Sequence, residues 1–172
     1  DNDKIEDIVN AGTDLNGYEK VDLKGRYIMP GLINMHVHLA GNGKPQKKQR
    51  DNEKLVKILM GNALMRSIAY GMVAGFAKTE LMSGVTTIRT VGGLASFDTK
   101  LRDEINAGTK IGPRILAANE GISVPGGHMA GSVAVAADSI DTALKHLEQS
   151  EKEKVDLIKL MITGGVMDAK EK

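Results

Sequence analysis

Four apolar runs, each separated from the next by a stretch of helical character, constrain what this chain can fold into more than any other feature. Leu32-Ile33-Asn34-Met35-His36-Val37-His38-Leu39 follows a Pro-Gly turn. Val85-Thr86-Thr87-Ile88-Arg89-Thr90-Val91 is rich in β-branched residues and is closed by Gly92-Gly93. Pro113 to Ala118 and Val155 to Ile162 are the other two, the last followed by Thr163-Gly164-Gly165. Between them, apolar residues from Glu53 to Met82 recur at helical spacing, and Ser83-Gly84 is a C-terminal stop. Phe97 to Ala107 is a shorter helix. Asp138 is placed to cap a third, whose stripe is Ile140, Ala143, Leu144 and Leu147. The order β-α-β-α-β-α-β predicts a parallel sheet with crossover helices, an α/β fold. A glycine-rich loop, Gly121 to Gly131, follows the third strand.

The first strand carries two histidines at i and i+2. Successive strand residues face opposite ways, so His36 and His38 share a face, about 6–7 Å apart along the chain. Two neutral imidazoles on one side are a common start to a zinc, iron or nickel site. The residues alone also allow two polar side chains satisfied by backbone carbonyls. In parallel α/β folds ligands bind beyond the carboxyl ends of the strands. His36 and His38 lie near the end of strand one, Gly92-Gly93 ends strand two, His128 follows strand three and Lys159 sits in strand four, so all can face one site. Lys159 can equally be a lysine paired with a carboxylate, and His128 a loop histidine held by backbone.

Charge and composition exclude several functions. With 23 basic and 22 acidic residues the net charge is +1, so the chain lacks the electrostatic footprint of a nucleic-acid binder. Aromatic residues make up 3% and Trp is absent, which removes base-stacking platforms. No apolar run approaches the roughly 18 residues that span a bilayer. The chain has no Cys, so it offers neither disulfides nor thiolate ligands, and a cytoplasmic setting is expected. Neither G-x-G-x-x-G nor a P-loop lysine is present, so the glycine pairs do not signal a phosphate-binding domain.

Residues 1–28 read as short β-structure, with a hairpin over Glu19 to Met29 turning at Lys24-Gly25. This segment is too small to build its own core.

The run Asp22-Leu23-Lys24-Gly25-Arg26-Tyr27-Ile28-Met29-Pro30-Gly31-Leu32-Ile33-Asn34-Met35-His36-Val37-His38 resembles the entry into the barrel of the amidohydrolase superfamily, in its imidazolonepropionase-related and prolidase-like dipeptidase branch. Gly84 to Arg89, Gly112-Pro113-Arg114, Gly126-Gly127-His128, and Asp156 to Lys159 with Gly164-Gly165-Val166 extend the likeness in the same order. The resemblance implies a (β/α)8 TIM-type barrel beside a small β-sandwich. On that reading residues 1–29 are a partial sandwich segment and 30–172 the N-terminal half of the barrel, about four of its strands, cut at both ends.

The resemblance implies that His36 and His38 bind one divalent metal ion, with zinc expected, and that Lys159, carboxylated on its amine, bridges two metals in binuclear members. A neutral amine in an apolar strand can add CO₂ and become an anionic oxygen ligand. His128 is the implied substrate-binding residue. Thr90 stands where many relatives carry an acidic residue, so no role carries over to Arg89-Thr90. The two later histidines and the aspartate that complete the family's site have no match, so no catalytic residue is expected within this chain. The implied reaction is metal-dependent hydrolysis, by metal-activated water, of the amide bond of a dipeptide or of a cyclic amide. The chain alone is expected to be inactive, and the protein is expected to be a homo-oligomer. The alternative is a non-enzymatic half-barrel scaffold that oligomerises through its exposed strands.

Overall fold

The computed structural model describes residues 4–44 and 51–162. It divides into two units, Asp1–Pro30 and Gly31–Lys172.

The first unit has turns and, among its described residues, no strand. The expected Lys24-Gly25 turn forms, with both residues at positive φ (50° and 76°), the requirement of a tight hairpin turn. Its arms do not pair, which corrects the expected hairpin. Val21, Tyr27 and Ile28 are exposed, so neither arm has an apolar face to bury, and two isolated strands are marginal in water.

The second unit is the α/β body. Its elements are β1 (Leu32–Val37), α1 (Asn52–Met60), α2 (Ala63–Met82), β2 (Val85–Thr90), α3 (Phe97–Asn106), β3 (Arg114–Leu116), β4 (Gly121–Ser123), β5 (Ala134–Ala136), α4 (Ile140–Lys152) and β6 (Leu160–Met161). Every strand pair is parallel. One sheet runs β1-β2-β3 and the other β5-β4-β6. A single run of chain, Arg114 to Ser123, supplies β3 to the first sheet and β4 to the second. It bends between them at Asn119, whose φ of 56° is left-handed.

Several boundaries depart from the sequence reading. The helix expected over Glu53–Met82 is two helices. Asn62 breaks it by capping α2, its side chain accepting from the Met65 amide at 2.9 Å. Gly71 and Gly75 stay within α2. The loop expected over Gly121–Gly131 begins with β4. Ser139, not Asp138, is the N-cap of α4; the Asp138 carboxylate accepts from the hydroxyls of Ser139 and Thr142. The fourth strand pairs only over Leu160–Met161. The Gly164-Gly165 pair lies outside the described residues.

The core lies between the first sheet and α2 and α3. Val37, Leu39, Ile88, Ile115 and Ala117 pack with Val73 and Ala77 of α2 and Leu101 of α3. Ile88, Ala77 and Leu101 are fully buried, and each large apolar side chain so buried contributes about 1.5–3 kcal/mol. Of the first strand and its end only Val37 and Leu39 are buried in this core, while Ile33 and Met35 stay exposed. His36 and His38 alternate with the two buried residues and so lie on the other side of the chain. A two-part bracket ties β3 to the approach of β6. The Asp156 amide donates to the Ala117 carbonyl and its carboxylate accepts from the Ala117 amide, both at 2.8 Å. Arg102 of α3 donates to that carboxylate and to the Lys154 carbonyl, also at 2.8 Å.

Candidate functional site

His36 and His38 come together as their spacing predicts. Their ring centroids are 5.3 Å apart, with planes at 63°. His36 is exposed and His38 half-buried, flanked by the buried Val37 and Leu39.

The His38 ring is held from behind by the turn that ends β2. Its Nδ1 lies 3.0 Å from the Gly92 carbonyl oxygen. A carbonyl can only accept, so Nδ1 carries the proton and Nε2 is left with a lone pair. This is the usual way a protein fixes the tautomer of a metal-binding imidazole. Gly92 makes the approach possible: its φ is 134°, and a Cβ there would meet His38 Cε1 and Nδ1 at 3.3 Å and the Val133 carbonyl at 3.1 Å. The glycine pair that the sequence offers as room for a ligand is therefore room for a ligand-bearing side chain.

Burial is the main force on the His38 pKa and pushes it below the ordinary 6.5. The Gly92 carbonyl opposes this, and the positive charges of His36, Lys159 and His128 reinforce it. The imidazole is thereby kept neutral, the form that binds metals. The same three neighbours show that the four residues singled out from the sequence share one electrostatic neighbourhood.

Lys159 is half-buried on the approach to β6, where its carbonyl accepts from the Ile122 amide at 2.9 Å. Its Cγ lies 3.2 Å from where a Cβ on Gly121 would stand, so Gly121 lets the lysine stem pass along β4. His128 follows Gly126 (φ 72°) and Gly127. A Cβ on Gly127 would come within 2.6 Å of Ser123 Oγ, so the loop rests directly on β4. Arg89 points its Nε to the Met35 carbonyl at 2.8 Å, a strand-tying contact.

Sequence reasoning missed two supporting residues. Asn119 accepts from the Thr99 amide and donates to Thr99 Oγ1, both at 3.0 Å, and donates to Glu153 at 2.7 Å. It joins the β3–β4 bend to α3 and the end of α4; its only sequence signal is Asn's tolerance of left-handed backbone. Asp98, in the first turn of α3, is 1% exposed. An acidic residue there ordinarily reads as a solvated partner of the helix dipole.

Two imidazoles with a free Nε2 on His38 and a nearby lysine fit part of a metal's donor set. Among the described residues no group of three His, Cys, Asp or Glu is placed to hold an ion. A cleft of about 480 Å³ lies elsewhere, against α3 and Glu153.

Residues 27–171 match the model of the amidohydrolase family. A comparison with curated proteins found no match. Among solved structures, a putative prolidase from Bifidobacterium longum is 36% identical, with a TM-score of 0.57 over 83% of this chain and 29% of its own. An Xaa-Pro dipeptidase with bound methionine is 28% identical, with a TM-score of 0.57 over 80% of this chain and 34% of its own. A prolidase complexed with N-methylphosphonate-L-proline shares the fold, with a TM-score of 0.74 at 22% identity over 93% of this chain and 40% of its own. The chain thus spans at most 40% of the length of these structures, and its parallel α/β arrangement is part of their TIM-type barrel. The chain belongs to the amidohydrolase family, on its prolidase-like side.

Proposed function

We propose that this chain carries part of the metal centre of a hydrolase that cleaves an amide bond in a dipeptide or in a cyclic amide. The observation that carries the reading is the His36–His38 pair, with the His38 tautomer fixed through Gly92. His36 and His38 would hold a divalent ion, zinc by expectation, and Lys159, once carboxylated, would add an oxygen donor to one or two such ions. When bound, the ion supplies Lewis acidity toward water and the amide carbonyl. The protein residues orient and hold: Gly92 fixes the His38 ring, and His128 is placed to hydrogen-bond a substrate carbonyl or carboxylate. The prolidase and Xaa-Pro dipeptidase neighbours favour Xaa-Pro dipeptides as first substrates to try. We expect these 172 residues alone to be inactive, because the described residues place only part of a metal's donor set together.

The test is hydrolysis of an Xaa-Pro dipeptide panel and a cyclic amide by the full-length protein, before and after chelation. Activity that chelator abolishes, zinc restores and His36→Ala or His38→Ala removes is the expected result. A full-length protein that takes up a divalent ion but cleaves no amide overturns the reaction; one that takes up none overturns the site.

A second reading, a half-barrel scaffold that oligomerises, draws on the exposed Leu32, Ile33 and Met35 of β1 and Leu160 of β6. Unpaired strand edges with apolar side chains invite a partner. Light scattering of the isolated chain separates the readings: a homo-oligomer without metal uptake favours the scaffold.

A further inference from the structure

Asp98 is a buried carboxylate with no evident structural need for its charge. It is 1% exposed, and its Oδ2 makes no hydrogen bond. Thr90 bonds the carboxyl group, and the Thr90 hydroxyl in turn accepts from the Ala118 amide at 3.1 Å. An apolar side chain of similar size would fill the same space without leaving a polar atom unsatisfied.

What the carboxyl does stand against is Gly93, the second residue of the Gly92-Gly93 turn. A Cβ on Gly93 would lie 2.5 Å from Asp98 Oδ2 and 2.9 Å from its Cγ and Oδ1. A Cβ on Gly92 would lie 3.3 Å from the His38 ring. The two glycines are thus flanked by different side chains, the His38 imidazole against one and the Asp98 carboxyl against the other. Interiors are close-packed, so a turn with no side chains of its own is located by what stands against it.

We propose that Asp98 is a positioning residue for His38, acting through the Gly92-Gly93 turn, whose Gly92 carbonyl it holds in line with His38 Nδ1. The inference rests on the reading of His38 as a metal ligand for its purpose, but its geometry is independent of any ion. Burial raises the Asp98 pKa to about 6, in keeping with a carboxyl walled in by the turn. Asp98 works by shape, so Asp98→Asn retains the arrangement. Asp98→Ala leaves a void beneath Gly93, and Gly93→Ala drives the turn off the carboxyl.

The test is ¹⁵N NMR of the His38 ring in the full 172-residue chain, followed by zinc titration. Wild type and Asp98→Asn should show one tautomer, protonated at Nδ1. Asp98→Ala and Gly93→Ala should show mixed tautomers and zinc binding weakened roughly 10- to 100-fold, the range for lost support of a metal-bound histidine. The double variant should recover part of the loss, because Gly93→Ala no longer meets an obstacle. If Asp98→Ala does not fold, Asp98→Ser opens a smaller void and carries the same comparison. A wild-type His38 tautomer in a folded Asp98→Ala or Asp98→Ser chain overturns the proposal. A chain that shows the tautomer effect but binds no zinc supports the positioning role and contradicts the metal reading instead.

Discussion

His38 and Asp98 stand on either side of the same turn, and each is moved by burial away from its usual titration range. Burial and the charges of His36, Lys159 and His128 lower the His38 pKa, so the folded chain binds fewer protons there than the unfolded chain does. Stability is therefore lost as pH falls through 6.5, the ordinary value. An NMR titration should give His38 a midpoint below that value; one at or above it contradicts the burial account. Asp98 works with the opposite sign in proton uptake. Its pKa rises from 3.8 to about 6, so between these values the folded state binds the extra proton. Its contribution is most favourable below pH 4 and is lost as pH rises to 6, by roughly 3 kcal/mol. Urea unfolding of Asp98→Asn at pH 4 to 7 should show a shallower fall over that window and a gain at pH 7. An unchanged profile would mean that the carboxyl is not buried in solution. The closeness of His36 and His38 was legible in the sequence because the strand period sets it. Asp98 was not: nothing local to an acidic residue at a helix start says whether that turn faces water or a glycine pair.

At the scale of elements, alternation of strands and helices was readable from apolar periodicity, and the pairing partners were not. The β3–β4 run reads in sequence as a strand followed by a loop, because Asn119 hides a bend whose two halves belong to different sheets. The helix break at Asn62 depends on a side-chain cap that competes with an otherwise unbroken helical pattern. The stripe of α4 was also misjudged: Ile140 and Leu144 are exposed, since nothing in the described residues covers them. Two substitutions test the supports. Leu101→Ala empties a fully buried position between α3 and the first sheet, and should cost about 2–5 kcal/mol. Arg102→Ala removes the bracket on Asp156 and the Lys154 carbonyl, and should cost about 1–3 kcal/mol. Arg102→Lys should restore it only in part, because the guanidinium also donates from Nε to Asp103 while Nη1 holds the Asp156 carboxylate and the Lys154 carbonyl, and one ammonium cannot stand at both places. Denaturant melts measure each, and losses under ~0.5 kcal/mol would contradict the assigned packing.

For the molecule as a whole, residues 27–171 match the amidohydrolase family model, and the parallel strand pairing agrees with a part of that family's barrel. The α/β fold was legible because β1, β2, β3 and the approach to β6 announce themselves by apolar runs; β4 and β5, three residues each, do not. The complete donor set was not, since the described residues place only part of it together. The central claim is that His36, His38 and Lys159 form one part of a metal centre whose tautomer is set before any ion arrives. Zinc titration of the metal-free chain, followed through the ¹⁵N signals of both imidazoles, tests it most directly. Coordinated movement of the Nε2 signal of His38 and of the His36 ring at one zinc equivalent, abolished in His38→Ala, is the predicted result. Signals that stay still with excess zinc, or that move unchanged in His38→Ala for the remaining imidazole, would contradict it.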